Sequence, residues 1–250
     1  MNMKTTSIIM YNAFQLGFSA LFFYLYIGLC SFLFLHASPS TAQTYEFKWQ
    51  IGSEGTGEGQ FIYPSSVGVD GQGNVYVGDF NNNRVQKFDG QGTFLLKFGT
   101  QGTSEGQFGN PYGMAVDPQG NVYVADRQNH RVQKFDGQGA FIMQFGTHGS
   151  GEGQFSNPTS ISVDELGNIY VTDGDNHRVQ KFDGQGAFLF QFGSEGSGEG
   201  QFMYPLDMAL DGHGNVYVVD LYNDRVQKFD GQGAFLFQFG SEGSGEGQLS

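Results

Sequence analysis

The sequence predicts an all-β fold built from four copies of one four-stranded unit. The string RVQKFDGQG occurs four times, beginning at Arg84, Arg131, Arg178 and Arg225, with a constant spacing of 47 residues. Each unit carries short runs of Val, Ile, Tyr and Phe that are separated by turns rich in Asp and Gly. The chain has 40 Gly, 26 Phe and 12 Tyr among its 250 residues, a composition that favours short strands over helices.

Each unit is predicted to contain four short strands. The first follows a proline, as in PSSVGVD at Pro64, and its alternate apolar residues are separated by small ones that suit a strand crowded near an axis. The second, NVYVGD at Asn74, is typical of a strand buried on both faces. The third is RVQKFD, with Val85 and Phe88 on opposite faces. The fourth, FLLKFG at Phe94, alternates as a half-exposed outer strand does.

Turn chemistry joins these strands into antiparallel sheets. The motif DxxGN lies between the first and second strands, and DGQG lies between the third and fourth. Asp accepts hydrogen bonds from its own turn, and Gly supplies a positive φ. Four antiparallel strands in a unit of about 40–50 residues are typical of a β-propeller blade. The sequence therefore predicts a propeller domain at 43–250, with blades near 61–99, 108–146, 155–193 and 202–240.

The repeat resembles the NHL repeat. The pattern that carries the resemblance is PxxVxVDxxGNVYVxDxxNxRVQKFDxxGxFLxxFG, with the triplet Asn-His-Arg at 129–131 and 176–178. The likeness extends from residue 45 to the C terminus and implies a β-propeller. Relatives in that family include RNA-binding domains of ubiquitin ligases, extracytoplasmic sensors and peptide-amidating lyases. NHL propellers more often have six blades, whereas this sequence contains four complete units.

A lone outer strand, YEFKWQIG, precedes the first unit at residues 45–52. Aligning Ile51-Gly52 with Phe98-Gly99 gives it the pattern of a fourth strand. Such a strand ordinarily completes the last blade, but the last unit already has its own fourth strand, beginning at Phe235. Three interpretations are open: a four-bladed ring with an additional strand, an open arc that pairs with a second copy of the chain, or a truncated gene product.

The first 42 residues are predicted to be an export segment. Lys4 is their only charged residue, and residues 14–35 form an uncharged apolar run of 22 residues. This length favours a membrane anchor. Pro39 and the small residues Ser40 and Ala42 favour cleavage after Ala42, the interpretation we prefer. In both cases we expect the remaining chain to lie outside the cytoplasm, either secreted or periplasmic, or anchored by the apolar segment.

The remaining chain is strongly acidic. All 25 acidic residues and every basic residue except Lys4 lie after Ala42, so the net charge there is near −14. A surface of this charge repels phosphate backbones and anionic headgroups, which makes nucleic acid and lipid surfaces poor partners. The one cysteine, Cys30, lies in the export segment, so no disulfide is predicted in the propeller.

The sequence contains few of the motifs that are typical of enzymes. The sequence has no G-x-S-x-G, H-E-x-x-H or P-loop motif. His130 and His177 occur in only two blades and lack the spacing of metal ligands. The Gly-rich loops around Glu58 and Glu152 lack the pattern of a calcium loop, so we expect a solvated acidic rim. The prediction is a non-enzymatic protein without cofactor or metal. The alternative is a propeller enzyme of lyase or lactonase type with a metal at the central channel.

The charged residues of the repeat are predicted to be structural. In each blade, the Asp that ends the second strand would pair with the Arg that begins the third. Because this pair is copied with every blade, it is a property of the fold rather than of one site. The predicted pairs are Asp79–Arg84, Asp126–Arg131, Asp173–Arg178 and Asp220–Arg225.

One face of the predicted propeller differs between blades. It carries the loops that join second to third strands and those that join one blade to the next, and we name it the variable face. Its aromatic, amide and charged residues are typical of protein recognition sites, whereas drift in tolerant loops is the alternative. We expect this face to bind a protein, peptide or glycan. The candidate residues are Tyr63, Ser65, Phe80, Asn81, Tyr112, Arg127, Gln128, Asn157, Thr159, Asp175, Tyr204, Leu206, Leu221 and Tyr222.

Overall fold

The structure is a computed structural model that describes Ile8–Ile9 and residues 49–249. Most of the predicted export segment and residues 45–48 of the predicted outer strand lie outside the described residues. No helix within the described ranges is long and apolar enough to cross a membrane. The described chain contains four antiparallel sheets of four strands each, in chain order. The predicted all-β fold of four complete blades and one extra strand is therefore confirmed.

The strands of the blades are five or six residues long. Before the blades lie β1 (Ile8–Ile9), β2 (Gln50–Ile51), β3 (Ser53–Glu54) and β4 (Gln60–Phe61). Blade one comprises β5 (Pro64–Val69), β6 (Val75–Asp79), β7 (Arg84–Phe88) and β8 (Phe94–Phe98). Blade two comprises β9 (Pro111–Val116), β10 (Val122–Asp126), β11 (Arg131–Phe135) and β12 (Phe141–Phe145). Blade three comprises β13 (Pro158–Val163), β14 (Ile169–Asp173), β15 (Arg178–Phe182) and β16 (Phe188–Phe192). Blade four comprises β17 (Pro205–Leu210), β18 (Val216–Asp220), β19 (Arg225–Phe229) and β20 (Phe235–Phe239).

Hydrogen-bonded turns join the strands within each blade. Asp70 Oδ1 accepts the N–H groups of Gln72 and Asn74, each at 2.9 Å, and Gly73 has a φ of 82°. Asp89 accepts two backbone N–H groups in the same way in the turn between β7 and β8. Between the second and third strands lie 3₁₀ turns at Phe80–Asn82, Arg127–Asn129, Gly174–Asn176 and Leu221–Asn223. The repeated Asp-Gly turns and the variable 3₁₀ turns thus lie at opposite ends of the strands.

Neighbouring blades pack through an apolar joint that repeats along the chain. A Cβ on Gly139 of blade two would lie 2.7 Å from the ring of Phe98, which ends the last strand of blade one. The same ring packs against Phe135, with 4.8 Å between the centroids. Phe108, in the connecting segment, is fully buried in this layer. The 4.8 Å ring contact recurs at the next two joints, between Phe145 and Phe182 and between Phe192 and Phe229.

The structure shows why small residues alternate with larger ones in the first strands, which the sequence alone did not explain. A Cβ on Gly68 would lie 2.8 Å from Val116 of blade two. The small residue therefore makes room for a branched side chain of the next blade. Ala115 and Val163 both pack against the core cluster that blades two and three share. Contact between successive blades, rather than crowding at the axis alone, accounts for the small residues.

The extra strand takes the place of a fourth strand from a preceding blade. A Cβ on Gly92 would lie 2.7 Å from Ile51 and 3.4 Å from Trp49, much as one on Gly139 would meet Phe98. Phe61 packs in the same cluster as these residues and is buried. The outer part of blade one is therefore covered by the segment that leads into it.

The four blades form an open arc. Val67 and Val69 of blade one are 37% and 47% exposed, whereas Met114, the counterpart of Val67 in blade two, is 7% exposed. At the other end of the arc, Phe237 and Phe239 are 48% and 51% exposed. Both terminal faces therefore lack the neighbour that covers the equivalent residues inside the arc. Of the three interpretations of the sequence, the closed four-bladed ring is not the one adopted by the described residues.

A polar contact accompanies each apolar joint. The residue after each 3₁₀ turn has a left-handed backbone, with φ between 48° and 54°. At the three joints its side chain accepts a hydrogen bond from the N–H of the residue before the next proline. The pairs are Asn110 to Asn83 at 2.8 Å, Asn157 to His130 Nδ1 at 3.2 Å and Tyr204 to His177 Nδ1 at 3.1 Å.

This contact predicts that acid weakens the joint between blades two and three. Burial lowers the pKa of His130 below its usual 6.5, and the neighbouring ring of His148 acts in the same direction. Because the unfolded chain takes up this proton more readily than the folded chain, the stability is lost as the pH falls from about 6.5 towards the lowered pKa. Asn83 makes the same contact without titrating. We expect the melting temperature of His130→Asn to fall less than that of the wild type between pH 7 and pH 5, and equal falls would contradict this.

Candidate functional site

The four predicted Asp–Arg pairs lie in the hairpins between the second and third strands. Their Nε–Oδ2 distances are 2.7 to 2.9 Å. Each Asp is fully buried, and each Arg is at most 7% exposed. The Arg Nη groups donate to carbonyl oxygens of the segment that leads into the same blade, as Arg131 does to Thr103, Ser104 and Gln107. These charged groups are satisfied within the fold and are not accessible to a ligand.

The variable loops come together on one face of the arc. The N–H groups of Phe80 and Asn81 donate to the carbonyl oxygens of Tyr63 and Ile62, at 3.3 and 3.1 Å. Each 3₁₀ turn is thus tied to the segment that precedes the proline of its own blade. The equivalent pair of bonds recurs in blade four. The structure therefore places these two sets of predicted candidate residues side by side.

A row of aromatic rings and one guanidinium crosses the variable face. Phe80 packs edge-on against Tyr112, with 5.8 Å between centroids. The Cζ of Arg127 lies 5.1 Å from the centroid of Tyr112, and its Nη2 donates to Tyr204 Oη at 2.7 Å. Tyr204 in turn packs against Tyr222, with centroids 5.7 Å apart. The row joins residues of blades one, two and four into one surface.

Arg127 is a fixed cation within this row. Burial raises the pKa of Tyr204, and the charge of Arg127 opposes that rise. The phenol is protonated at neutral pH and accepts the hydrogen bond from Arg127. Arg127 Nε is buried and has no hydrogen-bond partner in the described part of the chain. Gly174 of blade three leaves room for Tyr204, since a Cβ there would lie 3.1 Å from the ring.

Two tyrosines of the variable face have strained backbones. Tyr63 and Tyr204, which precede prolines, have φ values of 54° and 66°. A left-handed backbone is unfavourable for a bulky residue, whereas Asn tolerates it. Asn110 and Asn157 occupy the equivalent positions of blades two and three with φ of 58° and 53°. The left-handed conformation is thus common to all four blades. Blades one and four place Tyr there, a residue that does not favour this conformation.

Other candidate residues use their polar atoms within the fold. Ser65 Oγ donates to the carbonyl oxygen of Tyr112 at 2.8 Å. Thr159 Oγ1 donates to that of Pro205 at 2.9 Å. Asn157 Nδ2 donates to Asp175 Oδ2. These residues hold blades or loops together, and the structure does not leave their bonded atoms open to a partner.

The remaining candidates differ in their exposure. Leu206 is partly buried and lines a cavity between the first strands of the blades. The exposed candidates, whose side chains can contact a partner, are Tyr63, Asn81, Gln128, Asp175, Leu221 and Tyr222.

A cavity of about 820 Å³ lies along the axis of the arc, between the first strands of all four blades. A second cavity, of about 420 Å³, adjoins it on the variable face and includes Tyr63 and Phe80. Pro64, Ser65 and Tyr112 line both cavities. The aromatic surface and the axial cavity are therefore continuous.

Asp207 belongs to this region, although it is not among the candidate residues predicted from the sequence. Among the residues that the structure describes, it is the only charged one that lines the axial cavity. The equivalent positions of the other blades are Ser66, Gly113 and Ser160. The departure from the repeat was visible in the sequence, but only the structure shows that this position borders a cavity.

The acidic rim contains no grouping that suits a metal. Within Ile8–Ile9 and residues 49–249, no three His, Cys, Asp or Glu side chains lie together so that they could hold an ion. Glu58 lies 3.6 Å from Lys97 in an exposed pair.

Comparison with known proteins places this geometry in a family. The NHL repeat family matches residues 61–88, 108–135, 155–182 and 202–229. The chain is 51% identical over 45 residues to the B-box type zinc finger protein ncl-1 of Caenorhabditis elegans, covering 18% of this chain and 5% of that protein. It is 45% identical over 49 residues to the protein brain tumor of Drosophila melanogaster, covering 20% and 5%. The chain thus spans only a small part of these relatives.

Among solved structures, the fold is similar to that of streptogramin B lyase. The TM-score is 0.56 at 15% identity, with coverage of 70% of this chain and 54% of the lyase, about half its length. At this identity the likeness concerns the fold alone. Four-stranded sheets arranged around a common axis define a repeat protein of the β-propeller class. Within that class, the chain is an NHL repeat-containing protein, which confirms the resemblance seen in the sequence.

Proposed function

We propose that the chain is a non-enzymatic interaction module that binds a protein or peptide through the variable face. The observation that carries this proposal is the strained backbone of Tyr63. Its φ is 54°, yet its side chain is 67% exposed, so packing does not compensate for the strain. The left-handed backbone belongs to the repeat, but the bulky residue does not, since two blades place Asn at the equivalent position. Strain of this kind is concentrated at functional sites.

The neighbouring residues support a protein or peptide ligand. Tyr222 is 66% exposed and Leu221 is 37% exposed. Tyr222 packs against Tyr204, which accepts the hydrogen bond from the guanidinium of Arg127. Exposed Tyr, together with Arg, is enriched among residues that dominate binding to proteins. The rings of Tyr112 and Tyr204 are held by contacts within the row, so the surface is pre-organised.

A substitution at Tyr63 separates binding from folding. Tyr63→Asn introduces the residue found at two equivalent positions, so we expect the free energy of unfolding to rise by about 1 kcal/mol. We expect the variant to capture fewer members of a phage-displayed library of random twelve-residue peptides and to bind the selected peptides at least tenfold more weakly. Chemical denaturation and binding titrations measure the two effects.

The matched control is Leu166→Ser. Leu166 is 89% exposed in a turn on the opposite face. We expect this control to leave peptide capture unchanged. The proposal is wrong if Tyr63→Asn and Leu166→Ser bind the selected peptides equally well. Selection of no peptide, with clear binding on a glycan array, would indicate a glycan ligand instead.

We also propose that the chain acts outside the cytoplasm. The support is the apolar run at residues 14–35, which lies outside the described residues. The mass of the mature protein distinguishes cleavage after Ala42 from retention as a membrane anchor. The acidic surface supports protein rather than nucleic acid as the partner.

The enzyme alternative has less support. The likeness to streptogramin B lyase concerns the fold, and fold alone does not carry activity. Within the described part of the chain, Asp207 and Tyr112 are the only ionisable side chains that line the axial cavity. The metal site expected of a lyase or lactonase type of enzyme therefore has no counterpart in that lining.

Pairing of the open arc with a second copy stays a prediction. The two exposed terminal faces support it, since Phe237 and Phe239 are half exposed. The segment around Ile51 already occupies the place that β20 of a second copy would take on blade one. A pair would therefore have to displace one of these two strands.

A further inference from the structure

The axial cavity is polar at one end and apolar along its walls. The walls are formed by residues such as Met114, Val116 and Ile161. Towards the variable face, the lining consists of Ser65, Thr159 and Asp207 among others. Because Tyr112 belongs to the lining of this cavity and of the adjoining aromatic one, a ligand on the variable face can extend into the axial cavity.

Asp207 is held in a fixed orientation with one oxygen free. Its Oδ1 accepts hydrogen bonds from Ser160 Oγ at 2.7 Å and from the N–H of Met208 at 2.8 Å. Its Oδ2 has no donor in the described part of the chain, and no described Lys or Arg pairs with it. Asp207 is exposed, so its charge is accessible from the cavity. A carboxylate with one anchored and one open oxygen is a pre-organised acceptor.

The surroundings favour a cationic ligand. Asp175 and Asp207 are exposed carboxylates in this region, whereas Arg127 is held by Tyr112 and Tyr204. The position of Arg127 shows that the aromatic row accommodates a cation. A divalent metal ion would need several oxygen ligands, and the described residues of the lining include a single carboxylate, that of Asp207. An organic ammonium needs a single carboxylate and an apolar wall for its carbon chain.

We propose that the axial cavity receives the ammonium group of a peptide ligand, with Asp207 as its counter-ion. The ammonium belongs either to a lysine side chain or to a free N terminus. The inference rests on the proposed function for its biological ligand and names the chemistry that the peptide must carry. The ammonium site itself can be tested without any peptide.

The first test uses n-butylamine, which is an ammonium ion at pH 7, and the uncharged 1-butanol as a comparison. The N–H of Met208 reports on the site because it donates to Asp207. We expect butylamine, but not butanol, to shift the Met208 amide resonance of the full chain. Asp207→Ser, which restores the residue of blades one and three, should weaken butylamine binding at least tenfold.

The control for charge is Glu165→Gln. Glu165 is an exposed carboxylate in a turn on the opposite face. Its replacement by Gln removes one negative charge, as Asp207→Ser does. We expect this variant to bind butylamine as the wild type does. Equal weakening by both substitutions would show non-specific attraction and overturn the inference. Equal shifts with amine and alcohol would overturn it as well.

The second test uses peptides selected from the random twelve-residue library. Replacing the lysine with norleucine, or acetylating the N terminus, should weaken binding roughly ten- to hundredfold, because a hydrogen bond to a charged group contributes about 1.5–3 kcal/mol. The substitution that has this effect identifies the source of the ammonium. Peptide binding that depends on Tyr63 but on neither ammonium would overturn this inference and leave the proposed function standing. Butylamine binding without any selected peptide would support the ammonium site and contradict the proposed peptide-binding function.

Discussion

Replacing Arg131 with alanine is expected to lower the free energy of unfolding by about 3–5 kcal/mol, the cost of leaving a buried charge without its partner. Arg131 Nε donates to Asp126, which is fully buried. Without the guanidinium, this carboxylate keeps hydrogen bonds from the N–H of Gly109 and from Asn129. Neutral donors do not replace the lost charge.

The loss extends beyond the ion pair. Arg131 Nη1 donates to the carbonyl oxygen of Thr103 and to Gln144 Oε1, and Nη2 donates to the carbonyl oxygens of Ser104 and Gln107. Each carbonyl left without a donor in a buried environment adds to the cost. The side chain therefore fastens the segment between blades one and two to the blade that follows.

Chemical denaturation of Arg131→Ala measures this effect, and Lys97→Ala is the matched control. Lys97 lies 3.6 Å from Glu58, with 45% and 60% of the two side chains exposed. Exposed pairs of this kind contribute little to stability. A change for Arg131→Ala no larger than that for Lys97→Ala would show that the repeated pair is dispensable to the fold.

The blades could be predicted from the sequence because several independent features of the repeat indicate the same structure. The 47-residue spacing, the alternation of apolar residues and the Asp-Gly turns all indicate the same four strands. The role of the N-terminal strand was also predictable, since the alignment of Ile51 with Phe98 corresponds to equivalent contacts with Gly92 and Gly139. Local pattern determines local structure in a protein whose units contact mainly their neighbours.

Contacts between blades were less predictable. Alternation shows that Gly68 and Val116 lie on first strands, but not that one faces the other across a joint. The open arc likewise depends on how each blade is rotated relative to the next, which no residue pattern encodes directly. The exposure of Val67 and Phe239 became apparent only once all four blades were placed.

The candidate site was predicted in part. Variation between blades identified Tyr63 and Tyr204, but their left-handed backbones were not apparent, because sequence alone does not report φ. Ser65 and Thr159 vary as well, yet their hydroxyl groups are used between blades. Variation therefore locates a face, and only the geometry separates residues open to a partner from those that hold the face together.

Replacing Gly113 with alanine is expected to destabilise the joint between blades two and three, by about 3 kcal/mol. Gly113 is buried in β9 at the point where the first strands of these blades approach each other. A Cβ there would collide with the carbonyl oxygen of Thr159 and would lie 2.6 Å from Ser160 Cα. Both obstacles are backbone atoms, so no side-chain rotation relieves the collision, and overpacking of this kind typically costs 1–3 kcal/mol or more.

The matched control is Gly212→Ala. Gly212 has no heavy atom within 4 Å of the added Cβ and no left-handed backbone. We expect its stability to equal or slightly exceed that of the wild type, because alanine restricts the unfolded chain. An equally small change in stability for Gly113→Ala would show that the first strands of blades two and three can move apart at little cost in free energy.

The shape of the transition carries further information. The stability of a repeat protein is approximately the sum of the stabilities of its units and of the contacts between neighbours. Gly113 lies at the middle joint, so a weakened contact there divides the arc into two halves of two blades each. We expect the thermal unfolding transition of Gly113→Ala to broaden or to split into two steps. Arg131→Ala weakens the attachment of blade one to blade two, so in that variant we expect blade one to unfold separately from the other three. A single sharp transition in both variants would mean that the four blades unfold as one cooperative unit, although most contacts between blades join neighbours.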